Sequence, residues 1–408
     1  MRGGTDFRAD CGAGGAEMRT GMKFLHISDL HIGKRVNEFS MVEDQKYILG
    51  QILAIAEEER VDGVMIAGDL YDKPVPSAEA VQVFDWFLTG IAGAGRKVFV
   101  VSGNHDSPER IAFGGKLMSG RGVYVSPVYG GKTEKIALED DCGELFCYLL
   151  PFVKPATVRH VLEQERGEGA DGAQACLPET YHDAVKLAVE RMQVDPRARN
   201  ILIAHQFVTG AVRCESEEIA VGGLDNVDAE VFDAFDYVAL GHLHRPQQVK
   251  RATVRYCGAP LGYSFQEAGQ EKSVTIVDLK EKGRTELYTV PLVPLHNMRK
   301  IRGTYAEVTA RSFYRNADTE DYVQITLTDE EDVPDGFQKL RIIYPNLMRL
   351  VYDNSRTRQS RQVGTEEEAH RKSEPELFGE FYELQNNRPM GEEQTAFIKE
   401  MIEELRRE

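Results

Sequence analysis

An α/β sandwich followed by a smaller α+β unit is the fold this chain predicts, on three observations. Short apolar runs alternate with amphipathic helical stretches in β-α-β-α-β order between residues 22 and 102. Each of those runs passes directly into polar residues: SDLH, then GDLYD, then GNHD. After PLVPL at 291–295, strand-like alternation resumes in a short stretch of its own.

The elements follow in order. Residues 23–28 (KFLHIS) read as a buried strand. Residues 41–59 carry Ile48, Leu49, Ile52, Leu53 and Ala56 at i, i+3, i+4 spacing, the stripe of a helix packed on one face. Residues 61–67 predict a second strand, 77–91 a second helix with Ser77 as N-cap, and 97–102 a third strand. That order implies parallel pairing, and α/β folds place ligands at the carboxyl ends of such strands. Further on, 163–178 reads as a surface loop and 179–192 as a helix. Residues 200–204 and 237–240 are two more apolar strands, ending in His205-Gln206 and Gly241-His242-Leu243-His244. Residues 249–256, 273–279 and 285–290 read as later strands, the last two joined at Lys282-Gly283. Residues 298–354 form the small α+β unit, with strand alternation at 322–327.

The polar stretch 355–373 marks a linker. Beyond it, Leu377, Phe378, Phe381 and Tyr382 make one apolar stripe, and Phe397, Ile398, Met401, Ile402 and Leu405 make another. Residues 374–408 are thus expected to form two short helices, each too narrow in its apolar face to bury alone. At the other end, residues 1–21 are rich in Gly and Ala without a signal-like apolar core, and read as a disordered extension.

Composition narrows the function. The 408 residues hold 49 Lys and Arg against 66 Asp and Glu, a net charge of −17 with 42% hydrophobic residues. The apolar fraction supports real cores and excludes a disordered chain. No run approaches the roughly 18 to 20 apolar residues of a membrane span, so a soluble protein is expected. The acidic balance argues against coating nucleic acid through bulk charge, though not against a local basic groove or a metal site. Six scattered cysteines without a C-x-x-C pair fit a reducing cytoplasm.

Five blocks carry chemistry: Asp29-Leu30-His31, Gly68-Asp69-Leu70-Tyr71-Asp72, Gly103-Asn104-His105-Asp106, His205, and Gly241-His242-Leu243-His244. Together they offer carboxylates, imidazoles and an amide, a mixed O/N set suited to Mn²⁺, Fe²⁺ or Zn²⁺. In extended backbone, residues i and i+2 point the same way, so both ends of D-x-H or H-x-H can reach one metal. Glycines before Asp69, Asn104 and His242 are expected to permit tight turns. Each block alone has a bland reading as a capped turn or a structural histidine. The ordered set of five does not. His160, His182, His296 and His370 fall outside it and read as surface or packing residues.

This ordered set resembles the calcineurin-like metallophosphoesterases, whose fold is a two-sheet α/β sandwich around a dinuclear metal site. The likeness sharpens at KFLHISDLHIGK (23–34), GAPLGYSFQE (258–267) and ELFGEFYELQNNRPM (376–390), which are similar to the SbcD family of bacterial nuclease subunits. The resemblance implies one metal held by Asp29, His31, Asp69 and His244, and a second held by Asp69, Asn104, His205 and His242, with Asp69 bridging. Two metals about 3.5 to 4 Å apart can activate water and clamp phosphate for in-line displacement. His105 is left to bind the scissile phosphate and protonate the leaving oxygen, with Asp72 as the carboxylate that orients it. Lys34, Arg35 and Arg245 are candidates for contact with DNA backbone. The residue after Asp72 is Lys73, a departure from the Asp-Arg-Gly of Ser/Thr protein phosphatases.

The implied organisation is a nuclease domain at 22–294, a capping, DNA-binding domain at 295–354, a linker at 355–373, and a helical hairpin at 374–408 that binds an SbcC-type ATPase. The implied activity is Mn²⁺-dependent: a 3′ to 5′ exonuclease on duplex ends and an endonuclease on single strands or hairpins. A homodimer within a heterotetramer is expected, cytoplasmic and nucleoid-associated when on DNA, with no membrane contact. The alternative is a stand-alone phosphodiesterase or phosphatase for a small substrate, which would have no use for the long tail.

Overall fold

The computed structural model describes residues 21–166, 177–211, 226–315, 317–355, 357, 378–379, 382 and 390–405. The chain divides into two compact units, Met1–Arg299 and Lys300–Glu408.

In the first unit, β1 (Met22–Ile27), β2 (Gly63–Ala67), β3 (Lys97–Val101) and β4 (Val123–Val125) pair in parallel. Helices α1 (Val42–Glu58) and α2 (Ala78–Gly93) form the first two crossovers, and Ser77 caps α2 by accepting from the Ala80 N–H at 3.2 Å. A second sheet uses β5 (Glu134–Asp140), β6 (Gly143–Leu150), β7 (Arg199–His205) and β8 (Tyr237–Gly241). Helices α3 (Pro155–Arg166) and α4 (Tyr181–Glu190) lie between β6 and β7, α4 opening with a Thr180/Asp183 capping box. β9 (Gln247–Val249) and β10 (Arg251–Tyr256) complete that sheet, whose order is β9-β10-β8-β7-β6-β5. The chain then returns to the first sheet as a hairpin, β11 (Lys272–Leu279) and β12 (Thr285–Leu292), giving β12-β11-β1-β2-β3-β4.

The two-residue period of the strands builds the layers. Phe24, Met65 and Phe99 of the first sheet share one core with Leu145, Cys147, Ile201, Ile203 and Tyr237 of the second. The alternate residues Leu202 and Ala204 face away from it and pack with Val185, Ala188 and Val189 of α4. This is an α/β sandwich of two sheets, as its strand order predicts. The carboxyl ends of β1, β2 and β3 in one sheet and of β7 and β8 in the other meet at the same edge, where the His205 imidazole bonds the Ala67 carbonyl at 2.8 Å.

Three elements differ from expectation. The β5/β6 hairpin pairs over its full length through a turn at Asp141-Cys142, in a stretch where no strand was expected. Helix α3 runs into the expected loop at 163–178, most of which lies outside the described residues. The last strand of the hairpin runs two residues past its expected end into PLVPL: Pro291 and Leu292 pair with Ser273 and Lys272 inside β12, an edge strand, the setting in which a sheet tolerates proline.

In the second unit, β13 (Met298–Gly303), β14 (Tyr322–Leu327) and β15 (Leu347–Tyr352) form a three-stranded sheet, with α5 (Gly336–Arg341) alongside in sequence. Its own core holds Val308, Val323, Ile325, Leu340, Tyr344 and Leu347. The second expected tail helix is α6 (Glu392–Leu405). The extension at 1–20, most of the 355–373 linker and most of the first tail helix lie outside the described residues. Among the described residues, no helix is long and apolar enough to cross a membrane, and Cys142, Cys147 and Cys257 are free thiols.

One buried polar pair sits inside the sandwich. The His26 Nδ1 meets the Tyr237 hydroxyl at 2.9 Å, and burial, aided by Arg255, pushes the imidazole down to about 3. Because the folded pKa is depressed, the unfolded chain takes up the proton first as pH falls below about 6.5. Stability from His26 is therefore complete above that pH and is lost on acidification, about 2 kcal/mol between pH 7 and pH 5. Urea unfolding at the two pH values, compared between wild type and a His26→Phe/Tyr237→Phe double variant, should show that increment vanish in the variant. An identical pH slope in both proteins would refute it.

Candidate metal centre

The five motifs leave five strand ends at one edge of the sandwich. Asp29 and His31 follow β1, Asp69 follows β2, Asn104 and His105 follow β3, His205 is the last residue of β7, and His242 and His244 follow β8. The loops are tied to one another by backbone: Asp29 N–H donates to Gly68 O at 3.0 Å, and His31 N–H to Asp69 O at 3.0 Å.

The side chains converge. His31 Nε2 lies 3.1 Å from His244 Nε2 and 3.7 Å from Asp69 Oδ2. The same Asp69 Oδ2 lies 3.4 Å from His205 Nε2, which is 2.9 Å from Asn104 Oδ1. Asn104 Oδ1 is in turn 3.0 Å from His242 Nδ1. Asp29, His31 and His244 offer ligand atoms within 4.8 Å of one another, as do Asp29, Asp69 and His205. Two donors about 2.1 Å from a common cation, at 90° to 109°, stand roughly 3.0 to 3.4 Å apart. The measured separations fall at or near that edge length in two groups, and Asp69 belongs to both. All seven expected ligand residues are thus brought together, in an arrangement that fits two divalent cations sharing one carboxylate. The N/O donor set suits Mn²⁺, Fe²⁺ or Zn²⁺.

The backbone is bent to achieve this. Asp29, His31, Asp69 and His242 all have positive φ, at 54°, 43°, 50° and 107°. Such conformations cost non-glycine residues of order 1–3 kcal/mol each and concentrate where function over-determines geometry. Of the three glycines expected to make turns, only Gly68 has positive φ, at 88°. Gly103 and Gly241 serve another need, close approach: a Cβ on Gly103 would overlap the Asp69 carboxylate, and one on Gly241 the Ala67 carbonyl.

Electrostatically, the cluster is a buried acid–base lattice. Burial opposes ionisation of Asp69, yet the imidazoles of His205, His31 and His105 hold its carboxyl well below the usual range. Burial likewise opposes a proton on His205, but the Asp69 charge raises that imidazole to about 9. Burial pushes His31 well down and Asp29 up. A cation taken up here competes with the proton shared by Asp69 and His205.

His105 stands at the lip. Its side chain is 19% exposed, its N–H donates to Asp69 Oδ1 at 3.0 Å, and its Nε2 points inward, 4.0 Å from Asp69 Oδ2. The expected partner is present in a different form. Nδ1 of His105 lies 3.3 Å from the main-chain carbonyl of Asp72, whereas the Asp72 carboxylate is 2.6 Å from Lys34 Nζ. The turn through Tyr71 and Asp72 presents the backbone oxygen to the imidazole and sends the acid toward the lysine. The Asp72 group that faces His105 is thus its main-chain carbonyl and not the expected carboxylate, which pairs with Lys34.

Three supporting residues went unassigned from the sequence. Asp106, 6% exposed, accepts from Leu70 N–H (3.1 Å), Tyr71 N–H (3.1 Å) and Gly103 N–H (2.9 Å), strapping the loops that carry Asp69 and Asn104. Burial, then the Asp69 charge, raise its carboxyl to about 6. Gln45 on α1 donates to His31 O at 2.7 Å and accepts from Gly33 N–H at 2.9 Å. The Tyr263 hydroxyl donates to Leu30 O at 2.5 Å. The last position of GNHD was a visible signal for Asp106, and Tyr263 lies in the GAPLGYSFQE stretch without a role attached to it; Gln45 had no signal. Asp106→Ala strands three buried donors at about 1–3 kcal/mol each. Urea unfolding is expected to show a loss of about 3 kcal/mol or more; under 1 kcal/mol would mean the strap is dispensable.

Residues 22–246 match the calcineurin-like phosphoesterase family, and residues 294–386 match the type 5 capsule protein repressor C-terminal domain family, SbcD_C. The chain is 30% identical over 388 residues to the SbcD subunit of nuclease SbcCD from Staphylococcus epidermidis, covering 93% of this chain and 98% of that protein. A crystal structure of a Thermus thermophilus protein aligns with TM-score 0.36 and 14% identity over 66% of this chain and 99% of that one. A dimetal phosphatase from Danio rerio aligns with TM-score 0.36 and 11% identity over 68% and 99%.

Proposed function

The chain belongs to the SbcD family of calcineurin-like phosphoesterases, and on that premise we propose that it is a Mn²⁺-dependent DNA nuclease subunit working with an SbcC-type ATPase. Its tasks would be 3′ to 5′ exonuclease action on duplex ends and endonuclease action on single strands or hairpins, in DNA end processing, repair and recombination. The observation that carries this reading is the gathering of Asp29, His31, Asn104, His205, His242 and His244 around Asp69, with one further imidazole, His105, at the solvent edge.

In this reading Asp29, His31, Asp69 and His244 hold one cation, and Asp69, Asn104, His205 and His242 the other. Such a pair, when bound, supplies an activated water and neutralises phosphate charge. The chain's own residues do the rest. His105 Nδ1–H is held by the Asp72 carbonyl, so Nε2 is left to carry a proton to the leaving oxygen. A pocket of about 600 Å³ abuts the cluster through Ile32 and Asp72; Arg35 and Lys73 line its wall beside Ser77 and Glu79, and these two cations are where nucleic-acid backbone can make contact.

The domain scheme stays as the sequence suggested it: a nuclease body at 22–294, a DNA-binding cap at 295–354, a linker at 355–373 and an ATPase-binding hairpin at 374–408. A cytoplasmic homodimer within a heterotetramer goes with it. Phe113 and Leu117, each 85% exposed just past the GNHD motif, offer apolar surface for the dimer.

The test is cleavage of end-labelled linear duplex and hairpin DNA by purified protein with Mn²⁺ or EDTA, with and without the ATPase. Metal-dependent cleavage stimulated by the ATPase is expected. Turnover of a small nitrophenyl phosphodiester with no cleavage of DNA would overturn the nuclease reading. Deleting residues 374–408 is expected to abolish co-purification with the ATPase while EDTA-state stability is kept; unchanged co-purification would place the docking segment elsewhere.

A further inference from the structure

We propose that Glu267 and Lys272 form a buried clamp that positions His244 in the centre, with Glu267 as a positioning residue for one cation. The inference rests on the metal-centre reading above and adds residues to it.

His244 uses its two ring nitrogens in opposite directions. Nε2 faces the cluster, 3.1 Å from His31 Nε2, while Nδ1 faces Glu267 Oε1 at 3.7 Å. That Oε1 is placed by backbone, accepting from Tyr263 N–H at 3.2 Å. The other carboxylate oxygen, Oε2, is 2.6 Å from Lys272 Nζ, and the same Nζ donates to the His244 carbonyl at 3.1 Å. One lysine therefore holds both the backbone of His244 and the acid that faces its ring.

Such an arrangement is a poor choice as mere structure. Glu267 and Lys272 are 2% and 5% exposed, at a cavity of about 380 Å³ whose wall also includes Met41, Leu261, Leu292 and Met298. Desolvation penalises both ions of a buried Glu–Lys pair, and apolar residues of similar volume commonly serve stability as well or better. What the pair supplies that an apolar plug cannot is direction: a carboxylate behind a ligand imidazole fixes its ring orientation and keeps the proton on the far nitrogen. His205 is oriented on the same principle by a neutral group, its Nδ1 against the Ala67 carbonyl at 2.8 Å. A cation drawing density from Nε2 makes Nδ1–H a stronger donor, which tightens the contact to Glu267 as the site fills.

The experiment titrates Mn²⁺ into EDTA-stripped, dialysed protein and counts free Mn²⁺ by electron paramagnetic resonance. It compares wild type with the Glu267→Gln/Lys272→Met double variant, which removes both charges without stranding either. Wild type is expected to take two Mn²⁺ per chain. The double variant is expected to keep one at wild-type affinity and to weaken the other about 10- to 100-fold. Its unfolding temperature in EDTA should stay within a few degrees of wild type. Glu267→Asp, which keeps the charge at a shorter reach, should fall between the two. Wild-type affinity at both sites in the double variant would overturn the clamp. So would equal weakening at both sites together with a large stability loss in EDTA, the signature of a purely structural pair. A wild type that takes no Mn²⁺ would instead sink the metal-centre reading itself, and the clamp with it.

Discussion

Replacing Asp69 by asparagine is expected to remove cation binding and cleavage together. Its Oδ2 is the atom within reach of both halves of the cluster, 3.4 Å from His205 Nε2 and 3.7 Å from His31 Nε2. Its Oδ1 also holds the His105 backbone at 3.0 Å. Asparagine keeps the shape and one acceptor but loses the charge, and its N–H₂ cannot ligate a cation. Two cations this close need a shared anion between them, so neither half of the site should survive. Metal analysis should fall from two Mn²⁺ per chain to none, and cleavage by about 10⁴-fold or more, the loss of a term worth several kcal/mol. Thermal unfolding reports the same event independently. At a thousandfold excess over Kd, each cation stabilises wild type by about 4 kcal/mol, an increment EDTA should erase and the variant should never show. Two tightly held Mn²⁺ in Asp69→Asn would disprove the bridging role.

Much of this cluster was legible from the chain because its candidate ligands sit where strand periodicity stops. An apolar run that ends in D-x-H or G-N-H-D places those side chains at a strand's carboxyl end, and parallel order puts several such ends on one edge. Neither inference needs a three-dimensional contact. The misread parts depend on contacts that pattern does not encode. Asp72 lies beside His105 as expected but turns a different atom to it, since only the local turn decides whether its carboxylate or its carbonyl faces the imidazole. Gln45 reads as one more helix residue, and only packing shows it bridging Gly33 and His31. The β5/β6 hairpin alternates well in EKIALED and GELFCYLL, but its Asp141-Cys142 turn lacks the Asn-Gly or Asp-Gly that marks tight hairpins. The last strand was ended too early, at 290, for a related reason: proline reads as punctuation until the strand that contains it proves to be an edge.

His105 poses the sharper question, because binding phosphate and donating a proton predict different things of the same variant. His105→Ala should retain two Mn²⁺ per chain, since the seven proposed ligands do not include it and its backbone bond to Asp69 survives the substitution. Duplex DNA cleavage should drop by about 10² to 10⁴-fold, the usual worth of a general acid. The discriminating measurement varies the leaving group. A deoxyribose oxygen is a poor leaving group and needs the proton, whereas nitrophenolate departs without one. If His105 Nε2 is the acid, a nitrophenyl phosphodiester should lose far less activity than DNA in the variant, by an order of magnitude or more. Equal losses on both substrates would assign His105 to holding phosphate alone. Full retention on DNA would remove it from the reaction. Loss of a cation would make it a ligand, a role its geometry allows, since ligand atoms of His31, Asp69 and His105 lie within 4.8 Å of one another. The Asp72 carbonyl enters here as well: a main-chain acceptor cannot be deleted by a side-chain change, so Asp72→Ala should leave His105 chemistry largely intact while freeing Lys34. That outcome separates the carbonyl role from a carboxylate one, because a carboxylate partner would have been lost with the side chain.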